Sequence, residues 1–160
     1  MAGKAIGKTL PFGYRGNVSR TPDTVIQSYT NVGTDNIPYG AAVIYDATNK
    51  GVRAIKSTDS TASDLIGIAV RHIGQPKADA PTGWYYAPGE VVDVLVRGSC
   101  TVELKATTGI APRGQVYVDP TDGELTSVST SNLALPNAKF STGEYDGAKI
   151  AEVSILARSI

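Results

Sequence analysis

Short β-branched runs separated by turn residues recur along the chain. Pro and Gly precede three of these runs: Pro38–Gly40 before 42–45, Pro88–Gly89 before 91–96, and Pro112–Gly114 before 116–118. Because Pro fixes φ and Gly accepts positive φ, each turn reverses the chain ahead of a strand. Alternation of polar and apolar residues over 101–105 and 151–155 is typical of half-buried strands. The nearly continuous run over 91–96 indicates a more deeply buried strand.

The same reasoning extends to the whole chain. It predicts strands at 25–30, 42–46, 52–56, 66–71, 91–97, 100–105, 115–119, 124–128 and 149–157. Asn49–Gly51 and Asp122–Glu124 predict hairpin turns. Residues 57–65 predict a loop with one helical turn, and 129–148 a long polar loop. Many short strands at this spacing predict an all-β domain, either a jelly-roll-like sandwich or a β-barrel with long loops.

The length and composition of the chain argue against several classes of protein. A chain of 160 residues fits one domain that needs no disulfide or metal for stability. Its 15 basic and 15 acidic residues argue against a nucleic-acid binder that relies on bulk positive charge. No stretch approaches the ~20 apolar residues of a membrane span. The only cysteine, Cys100, cannot form an internal disulfide.

The balanced charge conceals a basic N-terminus. Residues 1–22 hold four of the 15 basic residues and no acid, so the rest of the chain carries 11 basic against 15 acidic residues. Gly and Pro in this segment exclude a regular helix. We therefore predict an extended basic arm over 1–22 and a β-rich domain over 23–160. The arm is either a disordered terminus or a segment that orders on a partner by placing Phe12 and Tyr14 there and by pairing its cations with acids of that partner.

Apparent active-site motifs have simpler explanations. Gly7-Lys8-Thr9 fits the loose spelling of a phosphate-binding loop, but Pro11, Gly13 and Gly16 exclude the helix that would receive the phosphates. His72 is the sole histidine and has no partner residues at catalytic or zinc-binding spacing. Asp119–Glu124 lacks the regular ligand ladder of an EF-hand and is better explained as turn chemistry. We expect no enzyme activity, no cofactor and no metal.

The only aromatic cluster is Trp84-Tyr85-Tyr86, just before a Pro-Gly turn. Successive strand residues point to opposite faces, so the three rings cannot all enter one core. Three interpretations are open: Trp84 and Tyr86 cap the end of a barrel with Tyr85 half-exposed, the rings form a protein contact, or they stack on sugars.

Several of these segments, in this order and spacing, resemble the capsid cement, or head decoration, proteins of tailed bacteriophages. They are Ile37–Gly40 with Val43, Leu65–Ala69, Tyr86–Val91, Val96–Gly98, Gly114–Val118 and Asp122-Gly123. The resemblance covers roughly residues 25–128. It implies a small β-rich domain that binds the outside of an assembled shell as a symmetric oligomer and clamps neighbouring major capsid protein subunits. It implies no catalytic residues.

From this resemblance and the surface-binding character of the sequence we predict a structural protein of the virion, located on the capsid exterior and assembled in the cytoplasm of the host bacterium. The expected partners are the major capsid protein and a second copy of the chain, with a homodimer favoured and a homotrimer possible. The alternative is a carbohydrate-binding or adhesin module of a phage tail or fibre. The candidate partner-binding residues are Lys4, Lys8, Phe12, Tyr14, Arg15, Arg20, Trp84, Tyr85 and Tyr86.

Overall fold

The computed structural model describes residues 15–71, 85–105, 109–143 and 149–157. These residues contain eleven strands and one 3-10 turn, Ala62–Asp64. The strands are β1 (Val18–Thr30), β2 (Ile37–Pro38), β3 (Ala42–Asp46), β4 (Gly51–Ala54), β5 (Leu65–Ala69), β6 (Tyr85–Tyr86), β7 (Val91–Glu103), β8 (Gln115–Val118), β9 (Leu125–Thr126), β10 (Leu133–Phe140) and β11 (Ile150–Ile155). No helix in the described ranges has the length and apolar character needed to cross a membrane.

Nine of the strands form one curled antiparallel sheet. Its order is β4-β3-β5-β7-β11-β10-β8-β9, β1 pairs with β7, and β2 and β6 form a separate two-stranded sheet. Both ends of the sheet curl back, since an isolated parallel bridge joins Asn31 to Val52 and another joins Leu104 to Leu125. The result is a single-domain half-barrel, which confirms the predicted all-β class.

The middle of the sheet is buried on both faces. In β3, Ile44 enters a larger core whereas its neighbour Val43 enters a smaller one. The larger core also holds Leu65, Ile68, Leu95, Cys100, Val102, Leu125, Phe140, Val153 and Ile155, and the smaller core holds Ile37, Tyr39, Val52, Tyr86, Val92, Val94 and Val96. The continuous apolar run at the start of β7 follows from this two-sided burial.

Strand β7 is one long strand, whereas the sequence predicted two, at 91–97 and 100–105. Gly98 lies at the predicted break, and its φ of +120° favours glycine. Before Gly98 an odd-numbered residue, Leu95, faces the larger core, whereas after it an even-numbered one, Cys100, does. The alternation of side chains therefore shifts by one residue at Gly98. A β-bulge against β1 absorbs this shift, and pairing continues on both sides.

The prediction of a polar loop over 129–148 was wrong, because this segment contains β10. Leu133–Phe140 pairs with β8 on one side and β11 on the other, and Leu135, Ala138 and Phe140 are buried in the larger core. Residues 144–148 lie outside the described residues. The remaining predicted strands correspond to observed ones, and the predicted helical turn is the 3-10 turn.

Strand β1 extends further toward the N-terminus than the predicted 25–30. It begins at Val18, so the last five residues of the predicted arm lie within this strand. Its pairing with β7 is regular from Ile26 to Thr30, but the register shifts between Arg20 and Val25, where Asp23 has a φ of +70°. The start of β1 is therefore a separate ladder segment, joined to the rest by an irregular stretch.

Candidate interaction surface

Gly16 and Asn17 are joined to the domain by backbone hydrogen bonds. The Gly16 amide donates to the Thr101 carbonyl at 2.7 Å, and the Gly16 carbonyl accepts from the Arg71 amide at 2.7 Å. The Asn17 carbonyl accepts from the Thr101 amide at 2.8 Å. Gly16 has a φ of +79°, and a Cβ there would lie 2.9 Å from the Arg71 nitrogen. Only glycine fits this crossing between β7 and the residues after β5.

Both described cations of the predicted arm pair with acids of the same chain. Arg15 Nη1 lies 3.1 Å from Glu103 Oε2 on β7. Arg20 Nε lies 2.6 Å from Glu152 Oε1 on β11, and its hydrogen bond to Glu152 raises the pKa of Arg20. The predicted contact residues Lys4, Lys8, Phe12 and Tyr14 lie outside the described residues. Residues 15–20, which the sequence assigned to the arm, are therefore part of the folded domain.

The aromatic cluster divides between core and surface. Tyr86 is 5% exposed, its ring centroid lies 4.9 Å from that of Tyr39, and its hydroxyl donates to the Val70 carbonyl at 2.7 Å. Burial raises the pKa of Tyr86 above its ordinary value. Tyr85, the adjacent strand residue, is only half-buried and pairs with Pro38 of β2. Trp84 lies outside the described residues. Tyr86 thus belongs to the smaller core, whereas Tyr85 is half-buried at the adjacent position of β6.

A second aromatic pair was missed by the sequence reasoning. The rings of Tyr29 on β1 and Tyr45 on β3 meet edge to face at 6.0 Å, and Tyr45 is 37% exposed. Because the two residues are distant in sequence, only the curl of the sheet brings them together. Among the described residues the other exposed large apolar side chains are Ile26 on β1, Val91 on β7, Val128 after β9 and Leu156 after β11.

Acidic residues near β8 serve the turn that follows it. Asp119 Oδ1 accepts the Thr121 amide at 2.8 Å, and Asp122 Oδ1 accepts the Glu124 amide at 3.0 Å. Lys105 Nζ lies 2.8 Å from Asp119 and 2.6 Å from Asp122. Over the described part of the chain, His, Cys, Asp and Glu side chains form no group of three or more that could hold a metal ion.

The thiol of Cys100 is not accessible for chemistry. Cys100 is fully buried in the larger core, and this burial raises the pKa of its thiol to about 12. The thiol is therefore protonated at neutral pH and shielded from solvent. His72 lies outside the described residues.

These observations define a β-rich structural module with a basic N-terminal segment attached to its sheet. Comparison with curated proteins finds no match. The chain matches the family described as "Structural cement protein (E217 gp24/Pam3 gp6)" over residues 3–156. It therefore belongs to this family of phage structural cement proteins.

A solved structure has the same fold. It is a chain of "The capsid of Myoviridae Phage XM1", with a TM-score of 0.74 and 19% sequence identity, and the alignment covers 98% of each chain. Together with the family match, this confirms the predicted class: a non-enzymatic structural component of the phage capsid.

Proposed function

We propose that this protein binds the outer surface of the phage head and clamps neighbouring major capsid protein subunits. The observation that carries this proposal is the family match, which spans nearly the whole chain, including most of the basic arm. A compact half-barrel supplies a rigid body, and an arm attached at one place supplies a second point of contact. Two linked contacts bind more strongly than either alone if both can be engaged together.

Clamping stabilises a shell by mass action. A protein that binds assembled subunits but not separated ones shifts the equilibrium toward assembly. The direct test compares the thermal disruption of shells that lack the protein with that of shells to which the purified chain has been added. We expect a higher disruption temperature that rises with occupancy. Saturating binding without any such rise would reject clamping while leaving attachment intact.

The structure changes how the arm should be tested. Because residues 15–20 hydrogen-bond to β7 and β11, removing all of 1–22 would damage the domain itself. Removal of 1–14 should instead leave the melting temperature nearly unchanged and weaken capsid binding about fivefold or more, since each exposed ion pair contributes up to about 1 kcal/mol and Phe12 adds apolar contact. Capsid co-sedimentation and thermal melting measure the two effects.

A charge-only variant serves as the matched control for this truncation. Lys4→Gln with Lys8→Gln keeps the length of the chain and removes two cations. If ion pairing carries the arm's contribution, this variant binds the capsid more weakly than the wild type at low salt. At high salt, where exposed charges are screened, the two affinities should become similar. Co-sedimentation of the truncated chain at wild-type levels would rule out a binding role for 1–14.

We expect the subunits to associate as a symmetric homodimer, with a homotrimer as the second choice, and Tyr85 to lie at a contact. Tyr85→Ala should weaken self-association or capsid binding by about 2 kcal/mol, roughly thirtyfold in Kd, as for a centrally packed interface aromatic. Analytical ultracentrifugation and co-sedimentation measure this, with Tyr117→Ala on β8 as the control. Wild-type behaviour in both assays would remove Tyr85 from the contact.

The carbohydrate-binding alternative is not retained. That alternative requires Trp84, Tyr85 and Tyr86 to stack on a sugar. Tyr86 is buried, so its ring cannot contact one. Family membership favours a structural role.

A further inference from the structure

The outer side of β1 is an open strand edge along its regular stretch. The Asn31 amide, just after β1, donates to the Glu90 carbonyl at 2.8 Å on the side of β7. Because hydrogen-bonding direction alternates along a strand, the even-numbered Ile26 and Ser28 direct their backbone groups away from β7. Within the part of the chain that the structure describes, no other strand pairs with β1 at these residues. Their N–H and C=O groups are therefore open to a further strand.

This open edge is short and has defined ends. At its C-terminal end β4 comes so close that a Cβ on Gly51 would lie 2.6 Å from the Thr30 carbonyl oxygen. At its N-terminal end the register with β7 is irregular, and Asp23 has a φ of +70°. An added strand can therefore pair with residues 25–29 only.

The open edge lacks the features that usually prevent pairing between sheets. Residues 25–30 include no charged residue and no proline, whereas edge strands of soluble proteins commonly carry lysine or proline. Five large apolar side chains are exposed among the described residues, and three of them lie here: Ile26 on β1, Val91 on β7 next to it, and Tyr45 against the ring of Tyr29. Open backbone groups and exposed apolar side chains thus coincide at one place.

A second copy of the same edge is a complementary partner. When two copies run antiparallel about a twofold axis at Gln27, Ile26 of one copy lies opposite Ser28 of the other, and their backbone groups bond to each other. On the other face of the strand, Val25 lies opposite Tyr29, and such β-branched and aromatic pairs stabilise sheets. Because residues 25–29 are uncharged, no like charges lie opposite each other. The edge is therefore self-complementary, as a twofold contact requires.

We propose that two copies of this protein associate through the outer edges of β1, antiparallel about a twofold axis at Gln27, so that their sheets join. This inference rests on the homodimer of the proposed function and assigns its interface. The contact is smaller than a standard protein interface. Association in solution is therefore weak, and it becomes stronger when both copies are attached to one shell.

Gln27→Cys tests the proposed axis by disulfide cross-linking. Across the axis the two Cα atoms would lie about 4.5 Å apart, within the range that a disulfide bridges. Mild oxidation should link most of this variant into dimers on a non-reducing gel, both at high protein concentration and on shells. Ser28→Cys is the control, because its two Cα atoms would lie roughly 8 Å apart, too far for a disulfide. The native Cys100 is buried and should give no cross-link.

Ser28→Pro tests the hydrogen bonds of the edge. Proline removes the outward N–H, and a strand tolerates proline where that N–H faces away from its neighbour. We expect the dissociation constant of the dimer to rise about tenfold or more in analytical ultracentrifugation. Ser28→Ala is the matched control, because it also loses the Ser28 hydroxyl bond to Asp93 but keeps the N–H. It should dimerise like the wild type. Should Ser28→Pro fail to fold by circular dichroism, Ile26→Lys replaces it with the same expectation.

The outcomes separate this interface from the rest of the proposed function. A wild-type dimer that Gln27→Cys does not link, or that Ser28→Pro does not weaken, overturns the interface and leaves the homodimer standing. A chain that stays monomeric in solution and unlinked on shells overturns both. Loss of capsid binding by Ser28→Pro with an unchanged dimer would assign the edge to a capsid protein strand and overturn self-pairing. Clamping is measured independently, by the disruption temperature of the shells.

Discussion

Replacement of Phe140 by alanine should lower the free energy of unfolding by about 3–5 kcal/mol, as for other large core aromatics. Phe140 is 1% exposed at the end of β10, and its ring lies in the larger core. Its backbone is also hydrogen-bonded to the residues just before β8. The Phe140 amide donates to the Gly114 carbonyl at 3.0 Å, and the Phe140 carbonyl accepts from the Arg113 amide at 2.7 Å. The surroundings are thus held in place and cannot readily collapse into the cavity. Urea denaturation at constant pH measures the loss.

Val128→Ala is the control for this variant. Val128 is 41% exposed, so its truncation removes little buried surface and should change stability by less than about 0.5 kcal/mol. A loss below about 1 kcal/mol for Phe140→Ala would contradict the placement of β10 over the core.

Replacement of Gly67 by alanine should be comparably severe, at about 3 kcal/mol or more, for a steric reason. A Cβ at Gly67 would lie 2.2 Å from the Leu95 carbonyl oxygen and 2.8 Å from Val94 Cγ1. The oxygen belongs to the backbone of β7, so it cannot rotate away as a side chain would. The pairing of β5 with β7, in which Ile68 lies opposite Leu95, would have to open.

Gly143→Ala provides a matched comparison for Gly67→Ala. Its nearest neighbour for a new Cβ is the Ile110 carbonyl oxygen at 3.6 Å, an ordinary contact distance. We expect a change within about 0.5 kcal/mol at this position. Equal melting temperatures for the Gly67 and Gly143 variants would show that β5 does not approach β7 as closely as described.

Most strands were predictable because β-branched runs and Pro-Gly turns act locally. Strand β10 was not, because Pro136 and Asn137 interrupt its pattern and Asn137 has a φ of +55°. Tertiary contacts compensate for this interruption. The Gln115 side-chain amide donates to the Leu135 carbonyl at 3.1 Å, and the Leu156 amide donates to the Asn137 carbonyl at 2.9 Å. Bonds between residues so far apart cannot be predicted from the sequence of β10 alone.

The candidate site was predictable only in part, for the same reason. The basic arm and the aromatic cluster are visible in composition, and strand alternation anticipates that Tyr85 and Tyr86 face opposite ways. The alternation around Glu152 predicts a solvent-facing acid, however, and the structure buries it beneath the start of β1. Which strand covers a polar face depends on the curl of the whole sheet, and periodicity does not encode that.

The pairing of the long strand β7 determines how the sheet resists a pulling force. It pairs with β1 along one side and with β5 and β11 along the other, so it links every part of the sheet. A tension applied at Val18 along the axis of β1 acts first on the short ladder segment at Val18 and Arg20, and then on the regular rungs from Ile26 to Thr30, in shear. Strands loaded in shear must break many hydrogen bonds at once, whereas strands peeled from one end break them singly. A domain of this construction can carry load between the points it connects.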